Sequence, residues 1–490
     1  MILSHAQVLV VALPLLAVPI CALLPGRRLP GVFATLVAWA VLALALLLMQ
    51  EVSAAGVLRY QLGGWAPPWG IEYRLDRLAA LVQLLLALIA AVVLPYAARS
   101  LSDEVGERSG GAFAALLLLL TGLLGIVATG DAFNVFVFLE ISSLASYTLI
   151  ALGRRRRALV ASFRYLILGT VGATFFLIGL GLLYALTGTL NMDDLAARMP
   201  PLAGSPAATT ALFFIVVGLG LKAAMFPLHQ WLPDAYAEAP PAVSAFMAAT
   251  STKVALYALA RFLFGVFGLQ QLTEVPMLQE GLQWLAVAGM LGGSILALRA
   301  ADIGRILALS SVAQVGYILL GFALLSTAGV AAGLVHLFNH ALMKGALFLA
   351  LGAMIHRCGG GELARLEGVG HRMPWTMAAF MVGALSLIGV PLTAGFVGKW
   401  YLVSAVIDQS AWWLVAAILV SSILSVFYLW RIVEVAYRRP AVMPPRAEAP
   451  LILLLPTMLL ALANLLVGLN SSPLVSWAEA ASLSLLGTGS

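Results

Sequence analysis

The sequence predicts an all-α integral membrane protein of about 14 transmembrane helices, and three observations predict it. The first is composition: 62% of the 490 residues are hydrophobic and only 10% are charged, where a soluble chain carries about 25% charged residues. The mean hydropathy of +1.03 says the same. The second is that apolar stretches of about 20 residues recur along the chain, the length a helix needs to cross the hydrocarbon core while satisfying its own backbone. The third is that the arginines crowd into alternate connectors. Much of the surface must therefore face lipid. A soluble enzyme, a secreted module and a nucleic-acid binder are excluded as whole-chain readings, despite a pI near 9.4. Two cysteines, Cys21 and Cys358, are too few for a disulfide framework or a cysteine-based metal cluster. No cofactor or metal is expected.

Taken in order, the expected spans run over 6–24, 31–50, 77–96, 111–129, 132–152, 161–187, 207–227, 241–268, 281–299, 303–325, 329–355, 375–390, 410–436 and 450–470. A half-span at 396–408 completes the twelfth crossing. The first span follows no basic segment, with only His5 ahead of its apolar run, so it reads as a retained helix and not as a secretory signal. Short connectors such as Gly130-Asp131 make their flanking helices antiparallel neighbours. No long linker divides the chain, which reads as one polytopic membrane domain over 1–490.

Orientation follows from the arginines, because cytoplasmic loops retain positive charge. With the N-terminus outside, one side holds Arg27, Arg28, Arg99, Arg108, Arg154, Arg155, Arg156, Arg157, Arg164, Arg299, Arg305, Arg357, Arg365, Arg372, Arg431, Arg438, Arg439 and Arg446, which is 18 of the 23. The other holds Arg59, Arg74, Arg77, Arg198 and Arg261. Both termini are thus expected to be non-cytoplasmic in a cell inner or plasma membrane. The Arg154–Arg157 run fits a stop signal beside anionic headgroups, not a nucleic-acid site.

The four lysines behave differently. Lys222, Lys253, Lys344 and Lys399 all lie inside apolar sequence, and no connector contains a lysine. Placing a lysine at a helix centre costs about 2.5–3.5 kcal/mol on insertion scales, so four such placements need a reason. Guanidinium stays charged at any accessible pH, whereas a desolvated ammonium can release its proton. Lysine is therefore the cation suited to proton exchange inside a membrane. Glu140 is the matching anion, nine residues past Asp131 and hence about 13 Å of helix rise from the membrane edge. It is expected to be deep, either in a structural ion pair or as a relay member. Asp131, Asp302 and Glu434 fall near span ends. His336, His340 and Lys344 recur at one-turn intervals on one face of a helix. Imidazole accepts at one nitrogen and donates from the other, so with water in its gaps this stripe reads as a proton wire. A zinc reading is weaker, because Leu337 stands where a metalloprotease needs glutamate.

Glycine and proline interrupt two spans, at Gly218-Leu-Gly220-Leu-Lys222-Ala-Ala-Met-Phe-Pro227 and at Gly389-Val-Pro391-Leu-Thr-Ala-Gly395-Phe-Val-Gly398-Lys399. The lysine precedes its break in the first and follows it in the second. Inverted repeats produce that relation, and unwound helices near the midplane mark transport sites in such folds. Gly218-x-Gly220 follows no strand and is not a dinucleotide turn.

At these residues the sequence resembles a known family. The stretch from Lys222 through Pro227-Leu-His-Gln-Trp-Leu-Pro-Asp-Ala-Tyr-Ala-Glu-Ala-Pro-Pro-Ala-Val-Ser to Lys253 is similar to the signature of proton-translocating antiporter-like subunits. Respiratory complex I, membrane-bound hydrogenases and Mrp-type multisubunit Na⁺/H⁺ antiporters share that family. The resemblance covers about Asp76 to Arg439. The run from Gly130 to Thr148 and the run ending at Lys253 most resemble the D-type subunit of Mrp antiporters. The resemblance implies two inverted five-helix repeats, spans 4–8 within 111–268 and spans 9–13 within 281–436, with N-terminal helices in 1–110 and a C-terminal helix and tail in 450–490. Spans 7 and 12 would be the broken ones. It also implies that Glu140 pairs with Lys222, that Lys253, His336, His340 and Lys344 continue a hydrated axis, and that Lys399 is the terminal proton carrier. The implied function is proton conduction within a monovalent cation (Na⁺)/H⁺ antiporter, as a transporter subunit and not an enzyme. Other subunits, the lipid bilayer, protons and Na⁺ would be its partners. The alternative is the proton pump of a complex I-like dehydrogenase or a membrane-bound hydrogenase.

Overall fold

A computed structural model describes residues 2–438 and 448–487. Of the arginines used for orientation, the Arg438 side chain, Arg439 and Arg446 lie outside the described residues. In chain order the elements are α1 (Ile2–Leu23), α2 (Leu29–Ala55), β1 (Leu58–Gln61), β2 (Glu72–Leu75), α3 (Arg77–Val105), α4 (Ser109–Ala128), α5 (Ala132–Ala151), α6 (Arg157–Thr187) and the short α7 (Met192–Arg198). Next come α8 (Pro206–Lys222), α9 (Leu232–Glu238), α10 (Pro241–Ala260), a π-helical turn over Arg261–Phe267, α11 (Gly268–Glu274), α12 (Leu278–Arg299), α13 (Ile303–Ala323) and α14 (Thr327–Cys358). The last are the short α15 (Val369–Arg372), α16 (Pro374–Ile388), α17 (Ala394–Asp408), α18 (Trp412–Arg438), α19 (Leu451–Leu469) and α20 (Ser472–Leu486).

Among the described residues, 11 helical segments are long and apolar enough to cross a membrane, and α8 and α16 are shorter apolar helices. One of the 11, Arg77–Ala128, is divided into α3 and α4 by a 3₁₀ turn over Gly106–Arg108. Every predicted span overlaps a helix. The chain is a multi-pass, all-α membrane protein. The helices begin where carboxylates and hydroxyls can accept from their free N–H groups. Asp76 caps α3, Asp131 caps α5, Asp302 caps α13 and Ser326 caps α14. The Gly-x-Gly of α8 serves packing: a Cβ on Gly218 would lie 2.6 Å from the Gly172 carbonyl oxygen, so α6 and α8 touch backbone to backbone.

The predicted breaks are present. Helix α8 stops at Lys222 and the chain resumes helix at α9, and α16 stops at Ile388 and resumes as α17. The caps of α5 and α13 also share one construction. Ala132 N–H donates to the Leu190 carbonyl (2.8 Å) and Met192 N–H to that of Gly130 (2.9 Å). In the same register, Ile303 N–H donates to Gly361 (2.9 Å) and Leu363 N–H to Ala301 (3.4 Å).

Three features depart from the expected all-helical spans and tail. Strands β1 and β2 pair antiparallel, Leu58 with Leu75 through Gln61 with Glu72. The amphipathic α20 folds back: Trp477 Nε1–H donates to the Arg77 carbonyl and Ser482 Oγ–H to that of Thr327, both at 2.8 Å, tying α20 to the starts of α3 and α14. Arg261, expected at a span end, is buried in the π turn. There its guanidinium forks onto Asp76, with Nη1 2.6 Å from Oδ2 and Nη2 on Oδ1. That fork keeps a buried guanidinium paired, the condition on which such burial is tolerable.

Candidate proton path

Lys222 is the last residue of α8. Beyond it the backbone turns at Ala224 (φ 56°), and the freed carbonyl of Leu221 accepts from Trp231 Nε1–H at 2.9 Å. The Trp231 ring stacks on Tyr165 with centroids 3.7 Å apart. The break thus closes with its polar backbone satisfied against protein, as a membrane requires. Lys222 Nζ donates to Ser143 Oγ at 2.6 Å and lies 3.4 Å from Glu140 Oε1. Glu140 and Ser143 stand one turn apart on α5, so one helix face supplies both contacts.

Glu140 is less enclosed than its position in the helix predicts. Its side chain is 28% exposed against 4% for Lys222. The reason is that α5 leaves one face uncovered, with Phe133, Val137 and Leu144 exposed on it. The acid reaches inward to the lysine from the edge of the chain.

A cavity of about 20 Å³ continues from Lys222, between Ser142, Ser143 and Ser146 of α5 and Ser251 of α10. That is enough for one water. Ser251 Oγ is buried and makes no hydrogen bond among the described residues. Two residues on, fully buried Lys253 donates to the Ala248 carbonyl and to Thr252 Oγ1 (3.3 Å).

The stripe on α14 forms as predicted, with His336, His340 and Lys344 all fully buried. Lys344 Nζ donates to the Leu307 carbonyl at 2.7 Å and to Ser310 Oγ at 2.6 Å. His336 Nε2 meets Gln314 Oε1 at 2.8 Å. Among the described residues, neither nitrogen of His340 is hydrogen-bonded, nor is His336 Nδ1, and the two rings are 6.4 Å apart at the centroids. The imidazoles are therefore adjacent without being linked. Gly398 makes room for His336, since a Cβ there would lie 2.7 Å from Nδ1.

Lys399 reaches from α17 to the end of α16. Its Nζ donates to the carbonyls of Leu387 (3.1 Å) and Ile388 (2.9 Å) and to Ser422 Oγ (3.0 Å), and sits 4.7 Å from the centroid of the Tyr317 ring. The negative end of a half-helix and a ring face both favour a cation there. Among the described residues, Lys222 alone of the four lysines is ion-paired with a carboxylate. Six of the seven predicted residues are buried in the helical interior, and Glu140 is partly exposed. The partners that the sequence did not single out are hydroxyls, one ring and one amide: Ser143, Thr252, Ser310, Gln314, Tyr317 and Ser422.

Charge also gathers at both ends of the helices. At one end Arg59 bridges Glu72 (3.1 Å) and Asp193 (2.5 Å), tying the hairpin to α7. At the other, Arg155 meets Glu362 at 2.5 Å, and Asp234 is shared by Arg164 (2.7 Å) and Arg305. Burial pushes the Asp302 carboxyl above its ordinary value, against the Arg305 N–H and the Arg155 charge. At Glu362 burial acts the same way, but a backbone hydrogen bond and the Arg155 and Arg365 guanidiniums win and hold the carboxyl low. A cavity of about 230 Å³ at this end is lined by Glu104, Glu238, Asp302, Arg154 and Arg155. Among the described residues, no three His, Cys, Asp or Glu side chains come together as metal ligands.

Residues 129–425 match the family described as NADH:quinone oxidoreductase/Mrp antiporter, transmembrane. The chain belongs to that family. A relative named NADH-quinone oxidoreductase subunit N, from Desulforudis audaxviator, is 44% identical over 96% of this chain and 97% of its own length. The D-type subunit of a Na(+)/H(+) antiporter from Bacillus subtilis is 32% identical over 99% of this chain and 97% of its own. Among solved structures, a chain of the Mrp complex from Dietzia sp. superposes with a TM-score of 0.90 at 29% identity, over 100% of this chain and 98% of that one. Family members are membrane subunits of multisubunit assemblies, and this chain is a transporter-type subunit of that kind.

Proposed function

We propose that this chain conducts protons along Glu140, Lys222, Lys253, the His336–His340–Lys344 stripe and Lys399, as one subunit of a larger membrane complex. One observation carries the reading: every lysine in the chain is buried in the helical interior, on carbonyl, hydroxyl or carboxylate oxygens. While Glu140 is ionised, it holds the proton on Lys222. Withdrawing or neutralising that charge removes about 4 kcal/mol at an effective dielectric near 20. The proton then moves toward Lys253, Lys344 and Lys399. The partial exposure of Glu140 supports a neighbouring subunit as the source of the biasing charge, because a carboxylate facing acyl chains is costly. The two cap pairs of identical register support an inverted repeat, with the arginine-rich end cytoplasmic and both termini outside.

In the finer reading the complex is a Na⁺/H⁺ antiporter of the Mrp type, supported by the fit to the Mrp chain over the whole length. A second reading, a pump in a redox-driven complex, is supported by the 44% identity to the protein named NADH-quinone oxidoreductase subunit N. Sealed vesicles carrying the native complex decide between them. Na⁺-stimulated proton movement without an electron donor favours the antiporter, and donor-dependent pumping favours the redox complex. A Glu140→Ala protein that assembles normally and moves protons at the wild-type rate in either assay would remove the proposal.

A further inference from the structure

Hydroxyls bind the two lysines of the second half, and those hydroxyls do not stop at the first neighbour. Lys344 donates to Ser310 Oγ at 2.6 Å, and Lys399 donates to Ser422 Oγ at 3.0 Å. On α18, Ser422, Ser425 and Tyr428 follow one another at three-residue steps, so their side chains stack on adjoining turns. Ser422 Oγ also lies 3.3 Å from Tyr317 Oη, and Ser425 Oγ–H donates to the Ser422 carbonyl at 2.6 Å. Tyr428 fills the interval. Its side chain is fully buried, on the stretch of α18 that runs alongside Ser310 between the Tyr317–Ser422 contact and the bonds from Arg431 to the Leu298 and Ala300 carbonyls. Yet that hydroxyl makes no hydrogen bond among the described residues. A buried phenol normally finds a partner; this one is left loose between hydroxyls leading to two lysines. His340 stands on the same helix as Lys344 with neither ring nitrogen bonded to anything described.

We infer that protons pass from Lys344 to Lys399 through the hydroxyls of Ser310, Tyr428 and Ser422, with Tyr428 as the swinging member. The inference rests on the proposed proton conduction. Lys344 gives an N–H proton to the Ser310 oxygen, whose own proton goes to the Tyr428 oxygen. The phenol proton goes on to Ser422, through Ser425 or Tyr317 where the gap requires it, and the Ser422 proton lands on the neutral amine of Lys399. One proton leaves Lys344, one arrives on Lys399, and each hydroxyl ends neutral with its O–H turned about. A hydroxyl without a fixed bond turns back most readily, which is the use of Tyr428.

The test is proton movement into sealed vesicles containing the intact complex, read with a pH-sensitive dye and driven as the wild type responds. Tyr428→Phe keeps the ring and removes the hydroxyl, and the rate is expected to fall about a hundredfold with subunit co-purification unchanged. Ser310→Ala should fall likewise, whereas Ser310→Thr, which keeps a hydroxyl, should hold most of the rate. Should Tyr428→Phe fail to assemble, the Ser310 pair decides alone. The inference is overturned if the hydroxyl-less variants run at the wild-type rate while Lys344→Ala is dead. A Lys344→Ala complex running at full rate would instead bring down the proton-conduction reading itself, and this route with it.

Discussion

Lys222 and Lys399 both sit where a crossing helix is interrupted, yet they are held by different kinds of negative charge. Lys222 faces a carboxylate at 3.4 Å that opens to the edge of the chain. Lys399 faces the last carbonyls of α16 and the ring of Tyr317, all buried and all neutral. A carboxylate can be neutralised or drawn away, and the change is large, about 4 kcal/mol at an intermediate dielectric. A half-helix terminus is fixed and contributes about 0.3–1 kcal/mol, rising to ~2 when partly buried. The first site suits an input that a neighbour can throw, and the second an output that holds a proton loosely and always to the same degree.

That contrast can be broken in several ways. Glu140→Gln keeps size and removes the charge; proton movement in vesicles should fall about a hundredfold, as should that of Lys222→Ala. A second acid pair gives the opposite signature. Asp76→Asn leaves Arg261 buried without its anion, which should lower stability by about 3–5 kcal/mol in detergent unfolding. Arg261 cannot give up a proton, so the rate per assembled complex should stay near wild type. Gly398→Ala puts a methyl against His336 and should cost about 1–3 kcal/mol of stability through overpacking. The smallest effect concerns Asp302, whose carboxyl is held above its ordinary value by burial. An acid so raised binds its proton more tightly in the folded state, so stability is full at low pH. It declines as pH climbs from the ordinary carboxylate range through the raised value. Asp302→Asn, an equally good helix cap, should abolish that decline and unfold no earlier than wild type at neutral pH.

Most of the membrane architecture could be read from the sequence because two periodic signals carry it, apolar runs of one bilayer thickness and arginines in alternate connectors. The lysines were legible for a related reason: a cation inside an apolar run has no bland explanation when it happens four times. What escaped has no such signal. β1, β2 and α20 are short, and α20 is held by single bonds from Trp477 and Ser482 to distant helix starts. The position of Glu140 along its helix is legible, but its partial exposure depends on which face of α5 the rest of the chain leaves bare. Ser143, Ser310 and Ser422 are ordinary hydroxyl residues in sequence and acquire meaning only beside a lysine.

The central claim is that the buried amines carry protons because they can lose them. Lys399→Arg tests it most directly, since it keeps the positive charge on the α16 terminus and removes the ability to deprotonate. In sealed vesicles, a complex that assembles normally around this variant should move no protons. Proton movement at the wild-type rate would contradict the account.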